Sequence, residues 1–133
     1  MKFLVSFDPE EDLIYLSAKI FGPFGSTNTR LALDTGATVT MIGSNILEGL
    51  GYNLKASTKK VSIVTGSGFE RVQELNVQKL QAIDQAVENL MVICHDLPEE
   101  TGLDGLLGLN FLRHFDLAIN WSNSTLSLVA SSS

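Results

Sequence analysis

The sequence predicts an all-β domain, and three observations carry that reading. Apolar and polar residues alternate with period two in many short runs, the signature of half-buried strands. Clusters of Gly, Pro, Asn, Asp and Ser separate the runs and read as turns. Helix signals are confined to two brief stretches, around 44–51 and just after Gly108. The chain has 133 residues, 44% hydrophobic and 18% charged. That is enough to bury a core and too apolar for disorder. One domain over 1–130 is expected, with Ser131-Ser132-Ser133 as a disordered tail.

Taken in order, Lys2 to Phe7 alternates Phe3, Val5 and Phe7 and reads as a strand. Asp8-Pro9-Glu10-Glu11-Asp12 is a solvated turn. Leu13 to Phe21 returns as a second strand with Ile14, Leu16, Ala18 and Ile20 on one face, so an N-terminal hairpin is expected. Gly22 to Ser26 breaks it. Thr29 to Met41 then places Leu31 and Leu33 before Asp34-Thr35-Gly36-Ala37, and Val39 and Met41 after it. A carboxylate therefore sits at a sharp turn between two strands, a rigid mount for a reactive group. Gly36 permits close approach by other backbone, and Thr35 adds a hydroxyl. Ser44 is the expected helix N-cap and Gly51 the expected stop.

Lys59 to Leu75 reads as a hairpin with the flexible tip Gly66-Ser67-Gly68. Mobile glycine-rich tips over a site act as lids. Val77 to Ile83 and Val87 to His95 are two further strands, turned near Asp84-Gln85. After the loop Asp96 to Gly102, Leu106-Leu107 forms a strand ending at Gly108. A short helix follows, with Leu109, Leu112 and Phe111 inward. Phe115 to Trp121 and Thr125 to Val129 close the chain, with Trp121 in the core.

Composition narrows the function. The formal net charge of −6 argues against nucleic acid and anionic membrane as partners. No apolar run approaches the ~20 residues of a membrane helix. The N-terminus is a poor signal peptide, interrupted by Asp8 and an acidic cluster, so a cytoplasmic site is expected. A single Cys94 excludes an internal disulfide, and two His residues far apart give no zinc spacing, so neither metal nor cofactor is expected. Cys94 and His95 are adjacent on a strand and point to opposite faces, which excludes a thiol–imidazole dyad. A buried Cys94, a surface His95, a surface His114, a loop-capping Asp96 and a simple turn at Asp104-Gly105 are expected.

Four features stand in one order: Asp34-Thr35-Gly36-Ala37 after an apolar strand, a glycine-tipped hairpin over Val64 to Phe69, Leu106-Leu107-Gly108, and the helix behind it. That order resembles the retropepsin-like aspartic proteases, the single-domain relatives of pepsin that include retroviral proteases. The run Gly102 to Leu112 is especially similar to bacterial members. The resemblance implies a retropepsin-like acid-protease half-barrel with two short helices, paired as a two-fold homodimer. It implies an aspartic endopeptidase in which Asp34 of each copy contributes one carboxylate, Thr35 bonds across the axis and Gly36 presents its backbone. Ala37, Gly66, Ser67, Gly68 and Leu106 are the expected substrate contacts, with peptide or protein as substrate. Retroviral members carry acidic residues just after this tetrapeptide and an Arg on the helix; here Thr38, Val39 and Leu109 take those places. Pepsin-like enzymes usually place Ser or Thr where Ala37 stands, so work nearer neutral pH is expected. A non-catalytic dimerisation or peptide-binding domain on the same fold is the rival, and a monomeric ligand-binding barrel a third reading.

Overall fold

In this computed structural model, residues 2–56, 59–66 and 68–130 are described. The expected tail at 131–133 and Ser67 lie outside them. The described residues form two sheets and two short helices, in keeping with the expected all-β class and its two helices. In chain order the elements are β1 (Lys2–Ser6), β2 (Tyr15–Gly22), β3 (Gly25–Leu33), β4 (Thr40–Ile42), α1 (Ser44–Gly49), β5 (Lys60–Thr65) and β6 (Gly68–Ala82). β7 (Gln85–Cys94), a 3₁₀ turn (Glu99–Thr101), β8 (Gly105–Leu107), α2 (Leu109–Leu112), β9 (Phe115–Asn120) and β10 (Thr125–Ala130) follow.

The larger sheet has the order β2-β3-β8-β4-β7-β6-β5, and β2 also pairs with β6. That extra ladder, Ala18↔Ala82 to Phe21↔Lys79, closes the expected half-barrel into a ring and leaves β5 outside it. Tyr52 braces the closure: its hydroxyl donates to the Phe21 carbonyl (2.6 Å) and accepts from the Gln78 N–H (2.8 Å). The inward residues of β2, Leu16, Ala18 and Ile20, are buried together with Leu31, Ile42, Val77, Leu80 and Val92. Leu47 of α1 and Phe111 of α2 plug the barrel and are fully buried. Each such side chain contributes about 2–3 kcal/mol of transfer free energy.

Several expectations need correction. β1 does not form a hairpin with β2; it pairs antiparallel with β10, which pairs with β9 in a separate three-stranded sheet. The acidic turn 8–12 carries the chain between sheets. The strand–turn–strand expected around Asp34 is present as β3 and β4, and β8 lies between the two strands, parallel to β3 and antiparallel to β4. The hairpin strand and the run from Val77 are one continuous strand, β6. Its turn to β7 is Ile83-Asp84, both at positive φ (52° and 58°), the tight two-residue hairpin geometry. Ser44 is the first residue of α1 and not its cap: the Asp96 carboxylate reaches across to accept from its N–H (2.7 Å) and hydroxyl (2.9 Å). Trp121 is 65% exposed, edge-on to Phe7 at 5.4 Å, where core was expected.

Candidate active site

The Asp34 turn is held from below by main-chain bonds. Its N–H donates to the Leu107 carbonyl (3.0 Å), extending the β3–β8 ladder by one rung. The Ala37 N–H closes the turn on the Asp34 carbonyl (3.2 Å). The Gly36 N–H donates to Asp34 Oδ1 (2.8 Å) and orients the carboxylate. A Cβ at position 36 would stand 3.1 Å from that oxygen, so glycine keeps the carboxylate uncrowded. Thr35 and Gly36 are exposed, while Asp34 and Ala37 are half-buried.

The first turn of α2 supports the outgoing limb. The N–H groups of Leu109 and Asn110, unpaired within so short a helix, donate to the carbonyls of Ala37 (2.8 Å) and Thr38 (3.2 Å). Beneath them lies a buried polar joint that the sequence reading missed. Thr40 is fully buried; its hydroxyl donates to Asn110 Oδ1 (2.9 Å) and accepts from the Gly108 N–H (3.0 Å). Asn110 Oδ1 also accepts from the Thr40 N–H (2.9 Å), and its amide donates to the Met91 carbonyl (2.6 Å). One pair of side chains thus ties β4, β7, α2 and the end of β8 together. The available signal was a hydroxyl two residues before the inward Ile42, an inward strand position.

Two glycines make this packing possible. A Cβ on Gly105 would fall 2.0 Å from the Met41 carbonyl oxygen, where β8 threads between β3 and β4. A Cβ on Gly108 would lie 2.7 Å from the Val39 carbonyl carbon. Gly105 is therefore a strand residue under close approach, and Asp104 is a joint where a simple turn was expected. Its carboxylate and main chain bond both backbone groups of Arg30 (2.9 and 2.8 Å), and its carbonyl accepts from Gly43 (2.9 Å).

Above the turn opens a cleft of about 470 Å³. Gly36 and Ala37 line it from one side and Val61 to Val64 of the hairpin from the other, with Met41 and Ile93 between. Gly66 and Gly68 are exposed at the hairpin tip, beyond the residues that line the cleft. Leu106 sits on β8 beside Met41, half-buried, and does not line this cleft in a single chain.

Cys94 and His95 are both half-buried, which corrects the expected buried–surface split. Burial, and then the charges of Asp96 and Glu48, push the Cys94 thiol up from its ordinary value. It is a protonated, unreactive thiol at neutral pH. His95 Nδ1 lies 3.8 Å from Glu70 of the hairpin. His114 is exposed. Asp96 does cap a loop-to-helix junction, through Ser44. Among the described residues, no three His, Cys, Asp or Glu side chains gather in a way that could hold a metal.

Residues 22–114 match the family described as "gag-polyprotein putative aspartyl protease", a span containing both the Asp34 turn and the Leu106-Leu107-Gly108 segment. The chain belongs to this family. Its fold is similar to the crystal structure of a retropepsin-like aspartic protease from Rickettsia conorii, with a TM-score of 0.72 over 96% of this chain and 89% of that one. At 18% identity that likeness speaks for the fold alone. No curated protein sequence matches the chain. Family and fold together indicate an aspartic protease of retropepsin type.

Proposed function

We propose that the chain is an aspartic endopeptidase that works as a two-fold homodimer, with Asp34 of each copy meeting on the axis. The observation that carries this reading is one main-chain-braced Asp34-Thr35-Gly36 turn per chain, with a half-buried carboxylate beside an apolar cleft. Aspartic proteolysis needs two carboxylates in unlike protonation states, and like charges in contact share one proton (a general property of this enzyme class). One chain supplies one such turn, so a second copy is the simplest source of the other.

In the proposed dimer a water lies between the two carboxylates. The ionised one takes its proton as the water oxygen bonds to the scissile carbonyl carbon. The protonated one gives its proton to the carbonyl oxygen, forming a neutral tetrahedral diol. Transfer of a proton to the amide nitrogen then breaks the C–N bond and releases acid and amine. The Thr35 hydroxyl would bond across the axis, Gly36 and Ala37 would present backbone to the peptide, and Leu106 would face it at the axis. The tip at Gly66, Ser67 and Gly68 would close over the peptide. The apolar cleft favours apolar side chains near the scissile bond.

Digestion of a diverse peptide library, read by mass spectrometry, tests this. Cleavage should fall by at least about a thousandfold in Asp34→Asn, and specific activity should fall on dilution as dimers separate. Full activity in Asp34→Asn, or from a proven monomer, sinks the reading.

A further inference from the structure

Among the described residues lining the apolar cleft, one carries a charge. Glu74 of β6 pairs in register with Ile93 of β7, which pairs with Met41 of β4, so the three stand in one row on the cleft face. The Glu74 side chain is only 9% exposed. A carboxylate taken out of water among apolar neighbours needs a counter-charge. Its cation is Lys59, Nζ at 2.7 Å from Oε1, but the Lys59 side chain is 71% exposed. The pair is therefore asymmetric, with an anion fixed in the floor and a cation reaching in from the rim. The Glu74 N–H also donates to the Lys59 carbonyl (3.1 Å), so the main chain at 59 stays anchored if the ammonium leaves. Exposed lysines lose little on leaving an ion pair.

An incoming basic side chain could take the place of Lys59 without leaving a buried charge unpaired. Its aliphatic stem would lie along Val39, Val61 and Ile63, and its head would reach the carboxylate, the usual division of a long basic side chain between apolar wall and polar tip. The net charge of −6 draws basic peptides toward the protein as a whole. We propose that Glu74 is a specificity-determining residue, selecting Lys or Arg at one position of a peptide otherwise recognised through apolar side chains. This rests on the peptidase reading above.

The test uses octapeptides with a central apolar pair, each flanking position in turn carrying Lys, Arg, norleucine, Gln or Glu. Two readouts are taken: cleavage by the active chain, and binding of fluorescent peptides to Asp34→Asn. At one position Lys and Arg should exceed norleucine about tenfold in both. The ratio should fall to near one in Glu74→Gln. It should rise in Lys59→Met, where the internal competitor is gone; a purely structural ion pair would instead change all peptides alike in both variants. An unchanged ratio of Lys to norleucine in Glu74→Gln overturns the inference. Selective binding without Asp34-dependent cleavage sinks the peptidase reading and leaves Glu74 standing. Cleavage without Glu74-dependent selection does the reverse, and neither cleavage nor selective binding overturns both.

Discussion

The Asp34 turn and the β5–β6 hairpin face each other across one cleft, yet they are built in opposite ways. Strand β8, helix α2 and the Thr40–Asn110 joint fasten the turn from three sides. The outer hairpin pairs with itself through β5 and β6, and carries Val64 and Phe69 opposite each other at 76% and 84% exposure. The same substitution, glycine to alanine, should therefore have different consequences in the two places. Where packing is closed on all sides, strain must be met by the whole fold. Where it is open, the tip can fray and cap the cost at its own local opening free energy.

Gly105→Ala is the largest expected effect. Its Cβ would fall 2.0 Å from the Met41 carbonyl oxygen, a backbone atom in the middle of a sheet. A destabilisation of about 3 kcal/mol is expected, or a Tm lower by roughly 10 °C, measured by calorimetry. A Tm within two or so degrees of wild type would show that β8 can shift and that the turn's mount is softer than it looks.

Thr40→Val comes next. It keeps the shape and removes the hydroxyl, leaving the buried Gly108 N–H without its acceptor. The cost should be about 1–3 kcal/mol, accompanied by loss of cleavage because the limb after Asp34 rests on this joint. Thr40→Ser restores the hydroxyl and should recover most of both. Loss of stability with full activity would separate the joint from the site.

How far these features were legible in the chain follows from what alternation reports. Period two shows which residues share a face, so the buried set Leu16, Ala18 and Ile20 and the strands of the hairpin could be read directly. It does not show which strand is the neighbour. The pairing of β1 with β10, and the insertion of β8 between β3 and β4, join residues far apart in sequence and left no local mark. The Asp34 tetrapeptide was conspicuous because turn chemistry is local. Thr40 and Asn110 were not, because their meaning arises only when residues 70 apart meet. Trp121 misled for a related reason: its bulk suggests core, but it caps a hairpin end against Phe7. Glu74 carries no local mark in the sequence, and only the register with Ile93 places it in the cleft.

On the hairpin side, Gly68 has φ of +116°, a conformation that costs an alanine about 1 kcal/mol or more. Gly68→Ala should nonetheless leave Tm within about 2 °C, because fraying of the tip absorbs the strain. Its signature should be kinetic, a severalfold lower kcat/KM if the tip closes on substrate. Hydrogen exchange across residues 64–69 should slow when a hydroxyl-bearing peptide inhibitor binds. A Tm loss comparable to that of Gly105→Ala would mean that the tip belongs to the rigid body and is no lid.

The smallest effect marks where the two regions join. Cys94 pairs with Gln73, where β6 leaves the barrel for the hairpin. Its thiol is pushed up by burial first, then by Asp96 and Glu48. The thiolate is the species that reacts, so iodoacetamide at pH 8 should alkylate the folded chain more slowly than the denatured one. Glu48→Gln leaves the helix cap intact and should raise the rate by less than about twofold; Asp96→Asn should do more, since its charge ranks above that of Glu48. The unfolded thiol ionises near its ordinary 9.0 while the folded one is still protonated. The stability contributed by Cys94 is thus complete below that pH and is lost as pH rises through the folded value. Cys94→Ala should flatten that part of the alkaline decline in Tm. Inhibitor binding, which should quiet the tip, should leave alkylation of Cys94 unchanged if the hairpin's base is part of the body. A rate that falls in step with exchange at 64–69 would move the hinge down to Gln73 and Cys94.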